Sequence, residues 1–201
     1  MLSRLLPLAA LLVALPLGAQ TQRAENVAVG GSGMGGPAGP FTFYSLAENR
    51  VVPNADSAST AWDLALRGTT ILVNGGTSGP GEGRAAIVEA PYDDVTSVAE
   101  ADLRADGEGD CPRGANAICT GSGNGWYLYE SATVSQIEGR TIVVRPATGG
   151  TPVKMRVLSY VLSDPQPDGS RPRFYTFEYE ALAPEAGSET DAGTSSSHDG
   201  H

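Results

Sequence analysis

Trp62-Asp-Leu-Ala-Leu-Arg67-Gly68-Thr-Thr-Ile-Leu-Val73-Asn74-Gly75-Gly76 is the stretch on which the reading of the fold turns. Trp62, Leu64 and Leu66 alternate with Asp63, Ala65 and Arg67, and a period of two places the apolar set on one face of a strand. Gly68 interrupts the alternation, and the run Thr69 to Val73 resumes it with β-branched residues. A lone glycine between two strand-like halves predicts a bulge or sharp bend in one strand that crosses the core and ends in a Gly-rich loop. Trp62 is read as the largest core residue of that strand. Asp63 is the one acid beside it, read as a solvent-facing or turn-bonded strand residue.

Similar period-two segments recur on both sides. Phe41 to Tyr44 alternates, Val51-Val52 resumes, and Arg84 to Ala90 carries Ala86 and Val88 on one face with Ile87 on the other. Trp126 to Tyr129 is a strong strand. Thr141 to Arg145 and Pro152 to Tyr160 form a hairpin across Pro146 to Gly150, with Val153, Met155 and Val157 on one side of the second arm. Phe174 to Leu182 closes the series, with Tyr175, Phe177 and Tyr179 opposite Thr176 and Glu178. One short helix is expected after Asp93 or Asp94, with Val95, Val98 and Ala99 sharing a face. The 26 glycines and 14 prolines favour turns and short strands over long helices. The expected class is therefore all-β: one antiparallel domain over residues 41–183, with long loops.

The flanking segments read differently. Arg4, the apolar run Leu5 to Leu17 and the small residues before Gln20 form a secretory signal over residues 1–19. It is too short for a spanning helix. No lipobox cysteine follows it, so the expected product is exported without a lipid anchor, to the periplasm, outer surface or medium. Residues 20–40 are polar and then Gly-rich, and are read as a flexible leader. Gly31 to Gly36 fits G-x-G-x-x-G formally, but Pro37, Gly39 and Pro40 forbid the helix that a dinucleotide site requires. Residues 184–201 form a Ser/Gly/acidic tail without apolar periodicity, read as disordered.

The 201 residues carry a net charge of -10 with a single lysine, Lys154. That balance argues against nucleic acid and against anionic membrane surfaces, both of which need clustered positive charge. Catalysis by a Ser-His or Cys-His pair needs a positioned base. The two histidines, His198 and His201, lie in the tail, so a secreted hydrolase is the least favoured class and no catalytic residue is assigned. Cys111 and Cys119 in an exported chain point to a disulfide closing a small loop. Half of a metal site is the alternative, weakened by the lack of a nearby histidine. Asp102, Asp106, Glu108 and Asp110 lack the calcium-loop spacing and read as a solvated acidic loop.

Several pieces together resemble the HmuY family of secreted haem-binding proteins. They are Phe41-Thr-Phe-Tyr-Ser-Leu with Val51-Val52, the Trp62 strand with Asn74-Gly-Gly-Thr-Ser-Gly79, Asp94-Val-Thr followed by Trp126-Tyr-Leu-Tyr, and Val153 to Tyr160 followed by Phe174 to Tyr179. They occur in family order from Phe41 to Leu182. The resemblance implies an all-β fold with a cleft for haem or another flat apolar ligand, haem as cofactor, and capture of haem for a TonB-dependent outer-membrane receptor in iron acquisition. Two features depart from the family: the anchor cysteine is missing, and so is the pair of His or Met ligands. Met155 and Tyr127 are the candidate haem contacts that remain, with Tyr92 and Tyr129 as further tyrosines that could stack on a porphyrin. The alternative function is a secreted β-rich interaction module of the same fold that does not bind haem and whose cysteine loop contacts another protein.

Overall fold

The computed structural model describes residues 20–31, 39–164 and 171–183. The signal-like residues 1–19, Met34, the tail over 184–201 and both histidines lie outside the described residues. The described residues form eleven strands in antiparallel sheets, so the all-β expectation is met. β1 (Gln22–Val29), β11 (Arg173–Ala181), β10 (Val153–Leu162), β9 (Thr141–Arg145) and β6 (Arg84–Val88) make a five-stranded sheet in that order. β3 (Arg50–Val52), β2 (Thr42–Ser45), β4 (Leu64–Arg67) and β5 (Thr70–Val73) make a four-stranded one. β7 (Tyr127–Glu130) and β8 (Thr133–Gln136) form a separate hairpin.

The central core lies between the two larger sheets. Leu64, Leu66, Ile71 and Val73 from one meet Ile142, Val144, Met155, Tyr175, Phe177 and Tyr179 from the other. Three polar tips join the sheets. The Tyr175 hydroxyl donates to the Gly68 carbonyl at 2.8 Å, the Tyr179 hydroxyl to the Leu46 carbonyl at 2.7 Å, and the Trp126 indole N–H to the Thr69 carbonyl at 2.9 Å. Each aromatic ring is thus buried with its polar atom satisfied, as burial of such groups requires. Smaller apolar clusters cover the outer faces. Val95 and Leu103 pack on Ala86 and Val143, and Trp62 packs with Val52 and Ala65.

The Trp62–Gly76 stretch folds otherwise than its pattern predicts. It is a tight hairpin, with Arg67 opposite Thr70 across Gly68-Thr69. Gly68 has φ of 54°, which a two-residue connection tolerates best at glycine. Trp62 precedes the strand and lies on the outer face, its ring centroid 4.9 Å from that of Phe43. Residues 22–29 of the expected flexible leader are strand β1, which buries Ala24, Val27 and Val29 against β11. The helix expected after Asp93 is replaced by two 3-10 turns, Tyr92–Asp94 and Glu100–Asp102, with Val95 extended between them. Val95 still reaches an apolar neighbour, so burial is served without helical periodicity.

The β7–β8 turn stores a small strain. Ser131 and Ala132 link Glu130 to Thr133, with φ of 48° and 65° respectively. Two left-handed residues match the hairpin twist, but an L-residue there costs about 1 kcal/mol or more. Ala132→Gly is therefore expected to raise the unfolding free energy by about 0.5–1 kcal/mol, net of glycine's entropy cost. Thermal denaturation checks this, and a lowered Tm would count against a left-handed Ala132.

Candidate functional site

The Gly-rich loop after β5 takes its shape from backbone packing. A Cβ on Gly75 would strike Gly83, and one on Gly83 would strike the Asn74 backbone. A Cβ on Gly76, whose φ is 60°, would collide with the Asp106 carbonyl. These glycines allow main chains to touch where any side chain would separate them. Asn74, fully buried, fixes the loop: its amide N–H donates to the Ser59 and Trp62 carbonyls, and its oxygen accepts from Gly81 N–H at 3.0 Å.

Beside this loop lies a groove of about 410 Å³, lined by Gly76, Gly81 and Gly83, by Ala105, and by the charged residues Glu82, Arg84, Glu108 and Arg145. Three of these four charges are in ion pairs. Arg84 meets Glu108 at 2.8 Å, and Arg145 meets Glu100. The Ala105 N–H and the Arg84 guanidinium hold the Glu108 carboxyl below the usual range. Hydrogen bonding from Arg145 does the same for Glu100, and Glu100 in turn raises Arg145. A second, smaller cavity of about 290 Å³ lies near Val98, Pro152 and Leu182.

The groove continues into the cysteine loop through residues 105–108. Cys111 and Cys119 form a disulfide with Cα atoms 5.3 Å apart. Three further ties hold the loop. The Ala115 carbonyl accepts from Gly107 N–H at 2.7 Å and from Gly109 N–H at 2.9 Å, and Ala117 N–H donates to the Asp106 carboxylate at 2.8 Å. Asp106 is 1% exposed and also accepts from Val73 N–H at 3.0 Å. Burial pushes its carboxyl up, against the hydrogen bonds from Ala117, Ser78 and Val73 that lower it. Asp106 thus leaves the expected solvated acidic loop: it turns inward to bind backbone. Among the described residues no three His, Cys, Asp or Glu side chains gather as a metal site.

Because the loop is anchored at several points, reduction of Cys111–Cys119 is expected to loosen residues 107–119 and leave the domain folded. A bridge closing so short a loop stabilises by about 2–3 kcal/mol, less than the total stability of an ordinary domain. Faster amide exchange at Ala117 with unchanged far-UV circular dichroism is the expected record. Cooperative unfolding on reduction would overturn it.

The residues singled out for haem lie elsewhere. Met155 is 1% exposed, opposite Ile142 and Tyr179 in the sheet, and lines neither cavity. Its thioether belongs to core packing. Tyr127 is also buried, its ring centroid 5.1 Å from that of Trp126. Tyr92 is pinned between Lys154 and Arg156, whose cations lie 4.6 and 4.5 Å from its ring centroid. Tyr129 is exposed on the β7–β8 hairpin. The structure does not bring these four side chains together around an open space, and an axial ligand needs a donor atom facing one. None of the four lines either cavity.

What sequence reading missed is Asp63 and Asp106. Both are buried carboxylates that accept backbone N–H groups from distant segments, Leu46 and Ala147 for Asp63, Val73 and Ala117 for Asp106. The one signal was an acid placed directly beside an apolar strand. Compared with known proteins, the chain matches no protein-family model and finds no match among curated proteins.

Proposed function

We propose that this chain is an exported, non-enzymatic all-β binding module that engages another protein through its disulfide loop and the polar groove beside it. The observation that carries this reading is the multiple restraint on the loop: a disulfide, a doubly accepting Ala115 carbonyl and the Asp106 carboxylate hold its base, while Pro112, Arg113 and Gly114 stay exposed. A surface ordered before contact loses little entropy on binding. The groove supports the same reading. Peptide groups and paired charges line it, which suits a polypeptide segment better than the apolar face of a porphyrin.

Haem capture for a TonB-dependent receptor, implied by the resemblance to HmuY proteins, is the competing reading. It has no support from the placement of Met155 and Tyr127. Two measurements separate the two. A photo-crosslinking residue is placed at Pro112 and, as control, at Val51 on the exposed strand β3, and the protein is irradiated with an envelope extract of the producing cell. A discrete adduct from position 112 alone is expected, and its absence would sink the module reading. Haemin is then titrated into the full chain carrying His198→Ala and His201→Ala, which removes nonspecific iron binding by the tail. A featureless titration is expected, and a saturable Soret shift at one equivalent would return the function to haem.

A further inference from the structure

We infer that the Arg113–Gly114 peptide bond is a processing site for an arginine-specific serine protease, the one such site that the fold leaves open among the described residues. The inference goes beyond the contact reading, since the bond is cut or spared whether or not the loop binds a partner. Enzymes of this class need an accessible loop that can be drawn into their cleft, with a basic side chain free to enter a carboxylate-bearing pocket.

The fold removes the other basic residues one by one. The bonds after Arg23, Arg50, Arg84, Lys154, Arg156 and Arg173 lie within strands. Arg67 ends β4, and the next amide, Gly68 N–H, donates to the Gly30 carbonyl at 2.8 Å. Arg104 exchanges both backbone hydrogen bonds with Ala85, at 2.9 and 2.8 Å. Arg140 leads directly into β9 and its side chain is bonded to Glu89, Gly123 and Gly125. Arg145 and Arg171 precede Pro146 and Pro172, whose ring nitrogens make poor scissile partners. Outside the described residues the chain has a single arginine, Arg4, and no lysine.

Arg113 has none of these protections. It is exposed, it sits in the turn whose base is the bridge between Cys111 and Gly114, and its guanidinium has no ion pair or hydrogen bond among the described residues. Space around it is open: a Cβ on Gly114 would meet nothing within 4 Å. The flanking residues are small or rigid, Pro112 before and Gly114 after. Hydrolysis adds one water across the bond, leaving a carboxylate on Arg113 and an ammonium on Gly114. Both new ends stay joined through Cys111–Cys119. The cut opens the rigid tip into two arms without releasing a fragment.

The test is limited trypsin digestion of the oxidised full-length chain under native conditions. One band before reduction and two fragments after it are expected, with the new N-terminus reading Gly-Ala-Asn-Ala-Ile from Gly114. Arg113→Gln is expected to slow the first internal cut by about tenfold or more, because the pocket loses its charged partner. A first internal cut at any other described arginine or lysine overturns the inference. So does digestion of the Gln variant at the wild-type rate, or resistance of the native chain where the denatured chain is cut.

Discussion

Asp63→Ala is expected to cost about 3–5 kcal/mol of stability, because it strips the acceptor from two buried amide donors at once. The Asp63 carboxylate receives Leu46 N–H at 2.7 Å and Ala147 N–H at 2.8 Å. Leu46 follows β2 in the four-stranded sheet, and Ala147 follows β9 in the five-stranded one. Its own backbone adds two bonds, Asp63 N–H to the Tyr44 carbonyl and Asn74 N–H to the Asp63 carbonyl. One side chain therefore fixes the place where the two sheets approach each other, at 5% exposure. Asp63→Asn keeps one acceptor and turns an amide N–H₂ toward the other donor, so it recovers at most half of the loss. Urea unfolding measures both. A loss below about 1 kcal/mol for the Ala variant would mean that water reaches the two amides and that the junction is not sealed.

Trp126→Ala is the second large effect, expected at about 3–5 kcal/mol from the cavity and the lost ring contacts. Trp126 is 1% exposed, and its ring lies 5.6 Å from that of Tyr175 and 6.3 Å from that of Tyr160. Its indole N–H is also the donor that satisfies the Thr69 carbonyl in the β4–β5 turn. Trp126→Phe keeps part of the packing and loses that bond, and should fall at about 1–3 kcal/mol. Tyr129→Ala, nearby on β7 but 52% exposed, serves as the control and should stay within about 0.5 kcal/mol. If Trp126→Ala matched that control, the β7–β8 hairpin would be an appendage rather than a lid on the core.

Where a strand has one buried face and no irregularity, its pattern is plain in the sequence. In Val153 to Val157 and Tyr175 to Tyr179 the apolar residues alternate, although Lys154 and Thr176 are buried between them, and Thr141 to Arg145 reads as a short apolar run because both of its faces are buried. β1 hides because its alternation breaks: Ala24 and Val27 are three apart, across a register shift where Asn26 has φ of 52°. β8 hides because a half-exposed, polar four-residue strand has no apolar face to show. Trp62 misleads because a large ring serves equally well in a loop that covers a sheet from outside. The groove is illegible for another reason. Its walls are main chain brought together by Gly75, Gly76 and Gly83, and sequence spacing says nothing about which backbones will touch. The disulfide was legible because a chain with two cysteines permits one pairing.

The pairing of β1 with β11 has a kinetic meaning. Asn26 N–H donates to the Thr176 hydroxyl oxygen, 150 residues further along the chain. At ribosomal rates the first strand waits roughly 10–30 s for its partner to be made. The five-stranded sheet cannot close before then, so folding follows synthesis rather than accompanying it, and a contact of such long range also slows the search. The chain spends that interval without a completed core, which is the condition a translocation channel accepts. The same interval leaves the edge of β1 open to foreign strands, so a holding chaperone should raise the yield of this protein more than that of one built from local hairpins.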